Sequence, residues 1–124
     1  MAKSLMIVDD SATMRKIIIR TIRMSGLEFD RTEEAGNGVE ALKKIDEGPV
    51  DIMLCDVNMP EMGGVELVQE IRKLDNCSDT KIIMVSTESS QELMDSVMSD
   101  GANGFINKPF TPEKFQEKLS PFMN

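Results

Sequence analysis

Residues 51–64 read DIMLCDVNMPEMGG. A mostly apolar run reaches the small Cys55, and a lone carboxylate, Asp56, follows it. An asparagine, a Met-Pro pair and two glycines come next, so the spacing predicts a strand over 51–55, a turn, and then a helix. A charge at the carboxyl end of a buried strand is costly unless it has a partner or a task. In open parallel α/β sheets that end is where ligands bind. Taken alone, Asp56 is better explained as a capping residue that satisfies loop amides. Its meaning depends on what else points into the same crevice.

Working outward, residues 5–8 (LMIV) form a second apolar run that ends in Asp9 and Asp10, the pattern of a strand buried on both faces. Ser11 is a candidate N-cap for a helix over about 12–25, with Met14, Ile17, Ile18, Ile22 and Ser25 on its inner face and Gly26 as its stop. Arg15, Lys16, Arg20 and Arg23 share one arc of that helix, about 140° wide at about 100° per residue, which suits a solvated outer face or a docking face. Residues 28–35 alternate weakly and give a further strand. Asn37 and Glu40 form a capping box for a helix to about Glu47 that buries Val39, Leu42 and Ile45, closed by Gly48-Pro49. Val65, Leu67, Val68, Ile71 and Leu74 mark a helix, a polar loop crosses 76–79, and 81–85 is a fourth apolar strand ending at Ser86-Thr87. Ser89 with Glu92 is another capping box, opening a helix whose inner face is Leu93, Met94, Val97 and Met98 and which Gly101 stops. Residues 104–107 are a short fifth strand running into Lys108-Pro109. Thr111 as N-cap and Pro112 at the first helical position begin a last helix that buries Phe115, Leu119 and Phe122. Five strand–helix repeats with crossovers this short require parallel neighbours and right-handed connections, hence a single α/β domain over 1–124 with its sheet covered on both faces.

Composition narrows the function classes. Hydrophobic residues are 40% and charged residues 29% of 124, so neither disorder nor a membrane span is expected. No signal-peptide layout opens the chain, and Cys55 and Cys77 are far apart with no histidine anywhere. Zinc and a disulfide-stapled secreted domain are therefore disfavoured, and a cytoplasmic setting is the expectation. A net charge of −8 disfavours nucleic acid and favours cations or basic partners. The 11 methionines are spread along the chain and are expected mostly in the core.

In a parallel sheet every strand ends on the same side, so Asp9, Asp10, Asp56, Thr87 and Lys108 should meet at one rim. Polar or charged ends on four of five strands are hard to assign to loop capping alone. Carboxylates within ~6 Å of one another repel by roughly 3 kcal/mol per pair at an effective dielectric of ~20. Such a cluster must hold protons or bind a cation, and an oxygen-only ligand set calls for a hard one, Mg²⁺ rather than zinc. With the Lys108 ammonium and the Thr87 hydroxyl on the opposite flank, the rim is a site for a phosphoryl group, Asp56 being the nucleophile.

These residues resemble the receiver domain of the two-component response-regulator family, and within it the stand-alone chemotaxis type. The carriers are VDD at 8–10, DSATMR at 10–15, DVNMPEMGG at 56–64, ST at 86–87 and KPF at 108–110, together spanning nearly the whole chain. The resemblance implies a flavodoxin-like (βα)5 fold with strand order 2-1-3-4-5. It implies that Asp56 accepts the phosphoryl group, that Asp10 and Asp56 ligate Mg²⁺ by side chain, Asn58 by its backbone carbonyl and Asp9 mainly through water. It further implies that Lys108 pairs with the phosphate, that the Lys108-Pro109 bond is cis, and that Thr87 moves to the phosphoryl group while Phe105 turns inward. The helix 4–strand 5–helix 5 face would be remodelled by that switch. Implied partners are a chemotaxis-type sensor histidine kinase, a flagellar motor switch protein or other effector, and a phosphatase, with no nucleic acid and no membrane.

Two positions depart from the family pattern. Phe105 lacks the hydroxyl of the Tyr often found there. Glu88 stands where a small residue usually follows the Thr, and a carboxylate at the mouth predicts unusual phosphorylation or dephosphorylation rates. With no effector following the last helix, output is expected to pass through protein contacts, in a module that catalyses only its own phosphorylation and dephosphorylation. A phosphate sink and a receiver excised from a longer regulator are the alternatives within the family. An Asp-nucleophile phosphatase is disfavoured because it wants a DxD at the end of strand one, whereas Asp9 and Asp10 are adjacent. A flavin carrier is disfavoured because Asp9-Asp10-Ser11 would repel a phosphate that no metal bridges.

Overall fold

The three central strands are buried along almost their whole length because both of their faces are covered. In the computed structural model, which describes residues 3–88 and 90–123, they are β1 (Ser4–Val8), β3 (Ile52–Cys55) and β4 (Lys81–Ser86). The edges are β2 (Arg31–Ala35) and β5 (Gly104–Asn107). All pairs are parallel and the order is β2-β1-β3-β4-β5, as expected. The helices between and after them are α1 (Ala12–Ser25), α2 (Gly38–Glu47), α3 (Gly64–Ile71), α4 (Gln91–Ser99) and α5 (Pro112–Leu119).

Successive strand side chains point to opposite faces, so each apolar run supplies two cores. Met6, Val8, Met53, Cys55, Ile82 and Met84 face Ala41 and Ile45 of α2, Leu67, Val68 and Ile71 of α3, and Val97 of α4. Leu5, Ile7, Ile52, Leu54, Ile83 and Val85 face Ile18 and Ile22 of α1 and Phe115 and Leu119 of α5. A polar substitution on any central strand would therefore be buried whichever way it pointed.

The helix starts follow the capping chemistry of the sequence. Ser11, Asn37 and Thr111 accept from the backbone N–H groups of Met14, Glu40 and Lys114, and Gly26 closes α1 in the left-handed region at φ 87°. Ser89 lies outside the described residues. The cap of α4 is Ser90, which accepts from the Leu93 N–H. Three side chains expected inside are exposed instead: Ile17, Val39 and Met98. Each sits about 100° or more around its helix from the centre of the buried face, beyond what the sheet can cover. Leu74 falls past the end of α3 and is exposed, while Phe122 is half-buried in a 3₁₀ turn at Ser120–Phe122.

At the amino ends of the strands, Arg72 ties the chain together. Its guanidinium donates to the carbonyls of Gly101 (3.0 Å), Cys77 (3.0 Å) and Thr80 (2.8 Å) and to Asn103 Oδ1 (3.0 Å). Asn103 Oδ1 also accepts from the Ile82 N–H at 2.9 Å, so one side chain joins the ends of α3 and α4 to the starts of β4 and β5. Arg72→Met strands these acceptors and should cost about 2–4 kcal/mol in urea unfolding. Because the clamp lies at the far end of the sheet from Asp56, the variant should keep the wild-type response to Mg²⁺.

Candidate functional site

Asp9 is 2% exposed at the carboxyl end of β1, and Asp56 is half-buried at the end of β3. The register carries them there: Val8 pairs with Cys55, so the residues that follow each leave the sheet side by side. The Asp56 N–H donates to the Val8 carbonyl at 2.9 Å, which fixes their spacing through the backbone. The turn after Asp56 is as tight because of its glycines. A Cβ on Gly64 would lie 2.1 Å from the Asp56 carbonyl oxygen, so only glycine lets α3 begin directly beneath the site. Lys108 arrives from the end of β5, followed by a cis bond to Pro109.

Asp9, Asp10 and Asp56 each place a carboxylate oxygen within 4.8 Å of the others. Lys108 Nζ stands 3.2 Å from Asp9 Oδ2 and 3.6 Å from Asp56 Oδ1, and its side chain is only 12% exposed. Asp9 Oδ1 accepts from the Ser11 N–H at 2.9 Å, and Asp56 Oδ1 from the Val57 N–H at 2.8 Å. Burial raises the Asp56 pKa above the ordinary carboxylate value; the Lys108 ammonium pulls it back, Asp9 and Asp10 push it up, and the Val57 N–H lowers it. The net direction is upward because burial outweighs the pull of the ammonium and of the Val57 N–H. Burial, and then the charges of Asp56 and Asp9, drive the Cys55 thiol far above its usual range, which suits a packing role.

Asp9, Asp10, Asp56 and Lys108 thus meet at one rim, as the parallel topology predicts. Asn58 is exposed, and its side-chain Nδ2 donates to Glu88 Oε1 at 2.8 Å across the mouth of the crevice. Thr87 is also exposed and makes no hydrogen bond to the carboxylates or Lys108 among the described residues. Phe105 is already buried, at 8% exposed, with Met84 and Val97 in its core cluster. An inward turn of that ring is therefore not awaiting Thr87 in this conformation. Arg15 belongs to the basic arc of α1 that suits a solvated or docking face, yet Nη1 donates to the Asp9 carbonyl at 2.6 Å and Nε to Glu34 Oε1 at 2.9 Å. The signal was present in the spacing: on a helical wheel Arg15 points within about 20° of the buried Ile22.

Oxygen-only donors around a surplus of negative charge fit a hard divalent cation. The response regulator receiver domain family matches residues 5–120. The chain belongs to that family. CheY1, a chemotaxis protein of Helicobacter pylori, is 40% identical over 116 residues, covering 93% of this chain and 92% of its own. The structure of CheY4 from Vibrio cholerae superposes with a TM-score of 0.86 at 34% identity, covering 98% of this receiver and 99% of its own chain. A chain of the CheX–CheY–BeF3–Mg²⁺ complex from Borrelia burgdorferi gives 0.84 at 28% identity, covering 98% and 90%. Receivers are signalling modules of two-component systems, not enzymes in the ordinary sense, and the acidic trio is the kind of site at which they bind Mg²⁺. No helix among the described residues is long and apolar enough to cross a membrane.

An acid whose pKa is raised on folding favours the folded state while protonated. Its contribution is present in full below the unfolded value, about 3.9, and is lost as pH rises through the raised folded value. Asp56→Asn should therefore raise Tm at pH 7 without metal by about 3–6 °C, equivalent to roughly 1 kcal/mol in a domain of this size. The gain should vanish below about pH 4. Millimolar Mg²⁺ should raise the wild-type Tm, and Asp10→Asn should blunt that rise. Calorimetric melting across pH, with and without Mg²⁺, measures all three.

Proposed function

We propose that this receiver accepts a phosphoryl group from a histidine kinase onto Asp56 and signals by protein contact, with chemotaxis and flagellar motor control as its setting in the cytoplasm. The observation that carries this is Lys108 Nζ lying between Asp9 and Asp56, at 3.2 and 3.6 Å, beside the three crowded carboxylates. Asp9, Asp10, Asp56 and the Asn58 carbonyl would hold Mg²⁺. When bound, the ion neutralises negative charge on the carboxylates and on phosphoryl oxygens.

The chain's own groups do the rest. An Asp56 carboxylate oxygen attacks phosphorus, the bond to the donor's leaving atom breaks, and an acyl phosphate forms. Lys108 is placed to pair with the oxygens of the transferred group, its ammonium freed from part of its contact with Asp56 as that carboxylate becomes an ester-like anhydride. Thr87, exposed on the β4–α4 loop, is free to move toward the new dianion and donate its hydroxyl. Since Phe105 is already buried, the loop carrying Thr87 and Glu88 would be the part that moves, and the α4–β5–α5 face the part that reads it out. Helicobacter CheY1 and Campylobacter CheY are chemotaxis proteins by name, which favours that setting over a phosphate sink or a receiver belonging to a longer regulator. A kinase of the chemotaxis type, a motor switch protein and a dephosphorylating partner are the expected contacts. The complex of the Borrelia relative with CheX, BeF3 and Mg²⁺ supports both the metal and the protein contact.

Acetyl phosphate with Mg²⁺ should add one phosphoryl group to the intact mass under acid quench, with the label on Asp56. Asp56→Asn should gain none and Lys108→Ala far less than the wild type. No mass change, or a label elsewhere, would overturn the proposal. Glu88→Ala, which removes the carboxylate at the mouth and its bond to Asn58, should speed either phosphorylation by acetyl phosphate or phosphate release; identical rates would acquit Glu88.

A further inference from the structure

The carboxylates of the acidic pair are held very differently. Asp9 is fixed three ways, by the Ser11 N–H at 2.9 Å, by Lys108 at 3.2 Å and by burial. Asp10 is exposed, and no side-chain hydrogen bond or ion pair holds its carboxylate among the described residues. Its direction is therefore set by the backbone, and above all by the peptide unit that joins Asp9 to Asp10. The carbonyl of that unit is the group to which Arg15 Nη1 donates, at 2.6 Å. The same guanidinium is anchored through Nε to Glu34 Oε1 at 2.9 Å, and the Arg15 side chain is only 18% exposed. The Glu34 carbonyl in turn accepts from Lys44 Nζ. The edge strand β2 thus anchors, through the Glu34 carboxylate, a fork whose other end grips one peptide plane.

We propose that Arg15 is a positioning residue for divalent-cation binding, fixing the Asp9–Asp10 peptide plane so that the otherwise unheld Asp10 carboxylate points at Asp9 and Asp56. This rests on the reading of the acidic trio as a Mg²⁺ site. The guanidinium works against its own charge here. As a cation near three carboxylates it disfavours a second cation, so on charge alone its removal should tighten Mg²⁺ binding. As an orienting group it favours the cation, because partners that fix metal ligands from behind are typically worth about 10–100-fold in affinity. The two roles predict opposite signs, and the shape of the contact decides for the second. A hydrogen bond to a backbone carbonyl makes no use of the carboxylate charge and constrains direction.

Titration calorimetry with Mg²⁺ on the full chain separates them. Arg15→Met should weaken Mg²⁺ binding about tenfold, although it removes a positive charge. Arg15→Lys, which keeps a donor for the Asp9 carbonyl, should recover part of that loss. Arg20→Met, which removes the same charge from an exposed position on α1, should bind as tightly as the wild type or slightly more so. Far-UV circular dichroism establishes that each variant is folded, and if Arg15→Met is not, the comparison of Arg15→Lys with wild type carries the test: a few-fold weaker binding supports positioning and an equal affinity overturns it. Arg15→Met binding as tightly as Arg20→Met would likewise overturn the inference while leaving the Mg²⁺ site intact. A wild type that does not bind Mg²⁺ at all would instead overturn the reading of the site, and this inference with it.

Discussion

Mutual repulsion among Asp9, Asp10 and Asp56 is the constraint on which this molecule depends. Their oxygens lie within 4.8 Å of one another, one carboxylate is almost wholly buried, and one ammonium, Lys108, faces two of them. A protein built only for stability would not gather these charges, because each pair costs a few kcal/mol in a partly desolvated setting. On Asp56, burial is the main upward push on the pKa, and Asp9 and Asp10 add to it against the pull of Lys108. Binding a cation, or forming an acyl phosphate that a cation and an ammonium stabilise, relieves the repulsion.

The fold's contribution is to make this arrangement rigid. Val8 and Cys55 are paired in the sheet, so Asp9 and Asp56 cannot drift apart without breaking the β1–β3 ladder. Gly64 lets α3 approach the Asp56 carbonyl, and Arg15 reaches across from α1 to the Asp9 carbonyl. The parts expected to respond are held less firmly. Thr87 and Glu88 are exposed on the loop after β4, and a hydrogen bond between the exposed Asn58 and Glu88 is what bridges the mouth. The division is physical: side chains that set charge positions sit on strand ends, and those that could move sit on loops.

Much of this was legible in the sequence, for identifiable reasons. Apolar runs such as LMIV at 5–8 and the punctuation by Ser11, Asn37, Thr111 and Gly26 fix strand, cap and stop locally, and the structure follows them. Parallel topology then places every strand end on one rim, so Asp9, Asp10, Asp56 and Lys108 could be grouped before any coordinates. What was not legible depends on direction around a helix or on distant partners. Ile17, Val39 and Met98 are apolar but face away from the sheet, and composition does not say where a buried face ends. Arg15 looked like part of a solvated arc because its partners, the Asp9 carbonyl and Glu34, belong to other elements. The Asn58–Glu88 contact joins residues 30 apart in sequence and carries no local signature. The buried position of Phe105 depends on how α4 packs, which spacing alone does not fix.

If the crowding of charge is the organising constraint, it should be visible on Asp56 itself. A pH titration of the aspartate side-chain carboxyl carbons by ¹³C NMR, with and without Mg²⁺, reads it directly. Asp56 should titrate above the ordinary carboxylate value of about 3.9 in the metal-free protein and drop below its metal-free value when Mg²⁺ is added. An Asp56 that titrates at the ordinary value and ignores Mg²⁺ would contradict the claim that repulsion among these three carboxylates is what the site is built to relieve.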